Sequence, residues 1–282
     1  MRDRKLPARD VSVPAFIYGT AWKEDRTSEL TLQALGAGFR AIDTANQRRH
    51  YLEAAVGQAV QEFVAAGGCT REALFLQTKF TFVDGQDHRL PYDLGADFAT
   101  QVRQSFESSL EHLKTSTIDS YVLHGPSSSR GLSQADREVW SAMESLVCDG
   151  GVRLLGVSNV SLDQLARLIG ITTVPIAFVQ NRCYARTGWD RGVRALCRDH
   201  GIVYQGFSLL TANARELESP ALRKIAERHE CSLAQLVFRY AIEVGMLPLT
   251  GSSDAAHLRE DLACVEIELI AEEIDAIDRI GG

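Results

Sequence analysis

Three side chains in this sequence could do chemistry together. They are Asp43 in the run FRAIDTA (39–45), Lys79 in LFLQTKF (74–80) and His124 in IDSYVLHG (118–125). Each stands at or near the end of a short apolar run. A carboxylate and an ammonium on neighbouring runs can pair. An ammonium beside a phenol favours phenolate and lowers a tyrosine's pKa from about 10. A tyrosine tuned in this way donates a proton near neutral pH, and an imidazole can hold and orient a substrate oxygen. Other run ends supply amides at Asn159 and Gln180, suited to holding a carboxamide ring edge-on, and Phe207, whose ring can stack on its face. The set suits hydride transfer from a nicotinamide to a carbonyl. Singly the residues say little. A lone strand-end lysine is more often a snorkelling surface residue, a lone buried histidine a satisfied core one, and Asp43 with Lys79 can be a structural ion pair.

Convergence requires elements that bring these ends to one place. Eight short runs recur along the chain: AFIYGT (15–20), FRAIDTA (39–45), LFLQTKF (74–80), IDSYVLHG (118–125), RLLGVSN (153–159), IAFVQN (176–181), IVYQGFS (202–208) and MLPLTG (246–251). Each is rich in β-branched or aromatic residues and bounded by polar, Gly or Pro residues, as buried strands are. Helical stripes fill the gaps: Val56, Val60, Phe63 and Val64; Val102, Phe106, Leu110 and Leu113; Leu162, Leu165, Leu168 and Ile169; Leu233, Leu236, Val237, Tyr240 and Val244. Ser161 with Gln164, and Ser232 with Gln235, have the spacing of capping boxes. Eight strand–helix units predict a closed, all-parallel (β/α)8 TIM barrel, with its chemistry at the C-terminal ends of the strands. An open doubly wound sheet would announce a Gly-rich fingerprint after its first strand; GTAWKEDR has none. No linker or composition break divides the chain, so residues 1–282 read as a single domain. Residues 81–95 form the longest irregular segment, read as a loop over one mouth and a lid. Gly251, Ser252, Ser253 and Asp254 open a helix after the last strand, where barrels bind phosphate.

Composition narrows the partners. The chain has 282 residues, 45% of them hydrophobic, and a net charge of −7 from 30 basic and 37 acidic residues. Nucleic acid needs a basic face that this balance does not provide. No polybasic run or membrane-length apolar stretch suggests a membrane. The six cysteines form no CxxC pair, so no metal is expected and they read as small core residues in a reduced, cytoplasmic protein. The N-terminal MRDRKLPARDVSVP lacks the apolar run of a signal peptide.

Taken in order, GTAW (19–22), IDTA (42–45), EAAVG (53–57), QTKF (77–80), IDSYVLHGP (118–126), GVSN (156–159), FVQN (178–181), GFSLL (206–210) and GSSDAAHLRED (251–261) resemble the aldo-keto reductase family over nearly the whole chain. The resemblance implies NADPH-dependent reduction of a small aldehyde or ketone. It places the catalytic tetrad at Asp43, Tyr51, Lys79 and His124, with Tyr51 as proton donor. Cofactor contacts fall on Gly19, Thr20, Asp43, Ser158, Asn159, Gln180, Phe207, Ser208, Leu210, Gly251, Ser252, Ser253, His257 and Asp261. Substrate contacts fall on Trp22 and His50.

The chain departs from the family pattern in three places. The loop between Asp43 and Tyr51 is two residues longer than usual, so His50 competes with Tyr51 for the acid's place. Arg48 and Arg49 in that turn can recognise an acidic substrate group, but read better as solvated loop charges. Where members preferring NADPH have Lys-Ser and then an arginine, this chain has Gly251-Ser252 and His257, with Arg259 nearby, which leaves NADH open. The chain stops just after its last helical stripe, so the tail that walls the pocket in many members is missing and a more open pocket is expected. Three other readings stay open: a Schiff-base lyase using Lys79 as nucleophile, a dinucleotide-binding isomerase, dehydratase or cyclase, and a non-enzymatic binding subunit. The sequence leaves the oligomeric state open.

Overall fold

The computed structural model describes residues 4–6 and 11–281; residues 1–3, 7–10 and 282 of the expected single-domain span lie outside the described residues. Strands β1 (Arg4–Leu6) and β2 (Val11–Val13) pair as an antiparallel hairpin. The barrel strands follow: β3 (Ile17–Gly19), β4 (Ala41–Asp43), β5 (Phe75–Phe80), β6 (Ile118–Leu123), β7 (Val152–Ser158), β8 (Ile176–Arg182), β9 (Val203–Phe207) and β10 (Leu247–Thr250). They close in the order β10-β3-β4-β5-β6-β7-β8-β9, every pairing parallel. The helices are α1 (Thr27–Ala37), α2 (Glu53–Ala65), α3 (Phe98–Leu113), α4 (Gln134–Cys148), α5 (Leu162–Ile169), α6 (Arg191–Asp199), α7 (Pro220–Arg228), α8 (Leu233–Glu243), α9 (Ala255–Ala263) and α10 (Ala271–Asp278). This is the (β/α)8 TIM barrel expected from the eight runs.

Successive strand side chains alternate between the barrel interior and the helix-facing side. Ile17, Ala41, Phe75, Leu154, Phe178 and Val203 fill the lower interior, with Val11 and Val13 of the hairpin in the same apolar cluster; Leu247 and Leu249 extend that cluster along β10, and Leu249 reaches the wall of the mouth. Continuing the same alternation sends Asp43, Gln77, Lys79, Gln180 and Gln205 inward one or two layers higher. Register ties them together: Gly19 pairs with Asp43, Asp43 with Gln77, and Gln180 with Gln205. The opposite faces, among them Tyr18, Ile42, Leu76, Tyr121, Leu155, Val179 and Tyr204, join the core shared with the helices.

The helical stripes face the core, Phe63, Val64, Leu110, Ile169, Leu233 and Val244 being half-buried against it, while Leu162 at the start of α5 is exposed. Gly57 sits so close to α3 that a Cβ there would lie 2.0 Å from the His112 carbonyl oxygen, so only glycine permits this approach of α2. Both expected capping boxes form, and Ser133 with Asp136 adds another on α4. Each is worth about 1 kcal/mol of helix stability.

Residues 81–95, expected as a lid, do not line the main cavity at the barrel mouth. Aromatic packing ties the segment down beside α3: Tyr92 stacks on Phe80 with centroids 5.6 Å apart, and Phe82 meets Phe98 edge-on at 5.9 Å. The Tyr92 hydroxyl donates to the Thr81 carbonyl at 2.8 Å. No described helix is long and apolar enough to cross a membrane.

Candidate active site

Lys79 is fully buried, and its ammonium donates to both Asp43 carboxylate oxygens and to the Thr44 carbonyl, each at 2.7 Å. That commits all three of its hydrogens. Burial pushes the Lys79 pKa down, and the Asp43 charge opposes that shift. Asp43 Oδ1 also accepts from Gln77 Nε2 at 2.7 Å and from Gln180 Nε2 at 3.0 Å. Gln205 closes the layer. Its Oε1 accepts from Gln77 and Gln180 at 2.8 and 2.9 Å, and its own amide returns a bond to Gln77 Oε1 at 3.0 Å. Ser120 also donates to Gln77 Oε1, at 2.9 Å.

The long turn between β4 and α2 puts Tyr51 and His50 in different places. Lys79 Nζ lies 5.1 Å from the centroid of the Tyr51 ring, and that ring meets His124 edge-on at 5.9 Å. His50 instead lies against Trp22 at the rim, centroids 3.9 Å apart. The turn is braced from below: Gln47 Nε2 donates to the Gly85 carbonyl at 2.6 Å, Gln86 Nε2 to the Asn46 carbonyl at 2.9 Å, and Asn46 Nδ2 to the Ser105 carbonyl at 3.0 Å.

The lysine-lowered phenol expected from the sequence is not what the structure shows. Burial, followed by the Asp43 charge, raises the Tyr51 pKa well above its ordinary value. Lys79 meets the ring face rather than the hydroxyl, and its hydrogens are spent elsewhere. The Tyr51 hydroxyl has no hydrogen-bond partner among the described residues. His124 is held by Thr81, with Oγ1 2.7 Å from Nδ1. Burial and then the Lys79 charge push its pKa down to about 3, so the ring is neutral at ordinary pH.

These groups meet at a cavity of about 770 Å³ at the C-terminal mouth of the barrel. Its walls include Trp22, His50, Tyr51, His124 and, of the expected cofactor contacts, Gly19, Asp43, Ser158, Asn159, Gln180, Phe207, Ser208, Leu210, Gly251, Ser252, His257 and Asp261. Lys79 lies beneath the floor. Thr20 and Ser253 are not brought to the wall; Thr20 is buried, its hydroxyl donating to the Asp43 carbonyl at 3.0 Å. Trp22, Asn159 and Ser208, where loops leave three strands, all take left-handed backbone conformations, with φ of 61°, 52° and 55°. Such strain collects where surrounding structure fixes a site's shape.

Hydrogen bonding limits what the amides can offer. Gln180 spends its N–H groups on Asp43 and Gln205, while Asn159 Nδ2 donates to the His124 carbonyl at 2.8 Å and to Ser158 Oγ at 3.1 Å. Each is left with a side-chain carbonyl oxygen, an acceptor suited to a carboxamide N–H. At the far end, Asp254 caps α9 and takes the N–H groups of Ala256 and His257 at 2.7 and 3.1 Å. The helix start expected to bind phosphate therefore already carries a carboxylate. Asp261, bonded by Thr250 Oγ1 at 2.7 Å, has its pKa pushed up to about 6 by burial.

Some residues at the site were not singled out from the sequence. Gln77 and Gln205 support Asp43. Lys23 donates to the Gly251 carbonyl and ties the end of β3 to the end of β10. Arg182 and Glu260 line the cavity. The available signal was strand alternation: Gln77 and Lys79, like Gln180 and Arg182, are two apart and so share a face.

A model of the aldo/keto reductase family matches residues 17–281. A glyoxal reductase of Bacillus subtilis (strain 168) is 28% identical over 272 residues, covering 96% of this chain and 90% of that protein. Deoxymugineic acid synthase 1 of Oryza sativa subsp. japonica is 30% identical over 285 residues, covering 93% of this chain and 84% of that protein. The crystal structure of an aldo/keto reductase from Brucella melitensis superposes with a TM-score of 0.81 at 28% identity, covering 96% of each chain.

Proposed function

This chain belongs to the aldo/keto reductase family, and we propose that it reduces an aldehyde or ketone to the alcohol with NADPH. The observation that carries the reading is a protonated phenol over a buried cation. Tyr51 lines the cavity with its hydroxyl unengaged, Lys79 lies under its ring, and neutral His124 stands beside it.

The cavity fits a nicotinamide dinucleotide. Gln180 and Asn159 offer two carbonyl oxygens to a carboxamide, and Phe207 offers a ring face. When bound, the reduced nicotinamide supplies the hydride. The remaining work falls to the protein. His124 is held at Nδ1 by Thr81; in the tautomer whose Nδ1 accepts from the Thr81 hydroxyl, Nε2 carries the proton that polarises the substrate carbonyl. Tyr51 keeps its proton until negative charge develops on that oxygen, then donates it. The Lys79 charge offsets that of Asp43 at the phenolate that remains. Three committed hydrogen bonds and full burial make Lys79 a poor nucleophile, which counts against the Schiff-base reading.

NADPH is the donor the family resemblance implies. NADH is the alternative, because Lys23, the lysine at the cavity end formed by Gly251, Ser252 and His257, is already bonded to the Gly251 carbonyl and does not line the cavity. The matched relatives carry names for different substrates at nearly the same identity, so the likeness does not set the substrate.

The test follows reduced-dinucleotide consumption with simple aldehydes. Y51F is expected to lower kcat by about 10²- to 10⁴-fold, and H50Q by less than about tenfold. The reverse order would give the acid's role to His50. Product formation without dinucleotide consumption would overturn the redox reading.

A further inference from the structure

Arg182 is the last residue of β8. Alternation sends Phe178, Gln180 and Arg182 to the same face, and Arg182 pairs in register with Phe207 of β9. Its side chain therefore stands one layer above the Gln180–Gln205 pair, at the barrel mouth, on the wall of the cavity that holds Tyr51 and His124. It is exposed and has no carboxylate partner among the described residues. Its guanidinium carbon lies 5.5 Å from the Tyr184 ring centroid. A guanidinium packed on an aromatic ring keeps its edge N–H groups available, in a fork that matches the two oxygens of a carboxylate.

The charges around the reacting groups leave this one unbalanced. Asp43 and Lys79 neutralise each other, His124 is uncharged, and Tyr51 holds its proton. The remaining acidic wall residues, Glu260 and Asp261, lie on α9 after β10, two strands round the barrel from β8. Arg48 and Arg49 do not compete for the role. Neither lines the cavity, and Arg48 spends an N–H on the Tyr51 carbonyl at 3.4 Å. Arg182 also borders a second cavity, walled by Ser127, Ser128, Tyr184 and Asp190, which gives room for a substrate's tail; the Asp190 carboxylate there already accepts from Asn181 Nδ2 and the Tyr204 hydroxyl, each at 2.9 Å.

We infer that Arg182 selects carbonyl substrates that carry a carboxylate, holding that group at the mouth while the carbonyl end reaches Tyr51 and His124. The inference rests on the reductase reading for which end of the substrate reacts.

The experiment compares 4-carboxybenzaldehyde with its neutral methyl ester, and measures binding separately from turnover. Calorimetric titration of the NADP⁺-loaded protein with 4-(hydroxymethyl)benzoate and with its methyl ester reads anion recognition without any reaction. The acid is expected to bind about tenfold more tightly than the ester, and its kcat/KM advantage as the aldehyde to be similar and carried by KM. In R182M both preferences should collapse toward one, and R182K should restore part of them. Equal affinity for acid and ester in the unaltered protein overturns the inference. So does an R182M defect confined to dinucleotide affinity, which would assign the guanidinium to the cofactor's phosphates. Acid preference that depends on Arg182, with no turnover of either aldehyde, supports the anion site and overturns the reductase reading alone.

Discussion

The two halves of the barrel interior are built by the same strand alternation and obey opposite rules. The lower half is an apolar plug of Phe75, Leu154, Phe178 and Val203, sealed by Val11 and Val13. Fully burying one such large side chain contributes roughly 1.5–3 kcal/mol. The upper half is polar: Asp43, Lys79, Gln77, Gln180, Gln205 and Ser120 satisfy one another across the lumen. A satisfied hydrogen bond nets only about 1 kcal/mol, and a buried ion pair is weak evidence of stability. The lower half therefore holds the barrel shut, while the upper half fixes where charges sit. A buried polar layer must also be complete, because one missing partner leaves a desolvated group unpaired.

Replacing Lys79 should show the largest effect. In K79M, Asp43 loses both ammonium bonds and becomes a buried charge held only by glutamine amides. Stability should fall by about 3–5 kcal/mol, and carbonyl reduction by at least about 10³-fold, while the folded fraction still binds dinucleotide through Gln180, Asn159 and Phe207. Denaturant titration and single-turnover kinetics measure the two losses. Full activity in K79M would remove the upper layer's claim on the chemistry.

The two halves were not equally legible. Runs such as LFLQTKF and IDSYVLHG declare buried strands through their β-branched and aromatic content, and a barrel's strand ends then point to Asp43, Lys79 and His124. The polar floor beneath them was not read from the sequence, because a glutamine such as Gln77 or Gln205 has no signature until its inward neighbours are known. Arg182 was missed because the run IAFVQN stops one residue short of the strand's end. Three-residue strands such as β2 are too short to show a period. Residues 81–95 read as a lid on length alone, but length does not say which way a loop folds. Tyr92 and Phe82 turn it toward α3.

A matched pair of substitutions sharpens the contrast. F178A opens a cavity in the plug, away from the reacting groups, and should cost about 3–5 kcal/mol of stability with little change in kcat per folded molecule. Q205L in the layer above should cost less, about 1–3 kcal/mol, by leaving Gln77 and Gln180 short of a partner. Its kinetic cost should be the larger of the two, because Asp43 and the Gln180 carbonyl lose a support. Thermal or urea unfolding beside steady-state kinetics separates the cases. Equal kinetic losses would mean that the layer merely fills space.

The smallest effect concerns pH, and it separates activity from folding. His124 is pushed down to about 3, and Tyr51 is raised above its ordinary value. Between pH 6 and 9 neither changes protonation, so kcat/KM should be nearly flat. Stability should not be flat on the acid side. The unfolded chain protonates this histidine near pH 6.5, while the folded chain resists until about 3. Below about pH 6.5 the unfolded state therefore binds more protons, and stability falls as pH falls. From pH 7 to 5 the loss should be about 2 kcal/mol, and H124Q should remove that part of the slope. Lys79, His50 and Tyr51 are the charged or titratable groups that face the ring; Lys79 is paired to Asp43, and Tyr51 keeps its proton throughout this range. An unchanged slope in H124Q, followed by urea midpoints, would move the titration to His50 at the rim and break the claim that the upper layer holds a neutral imidazole.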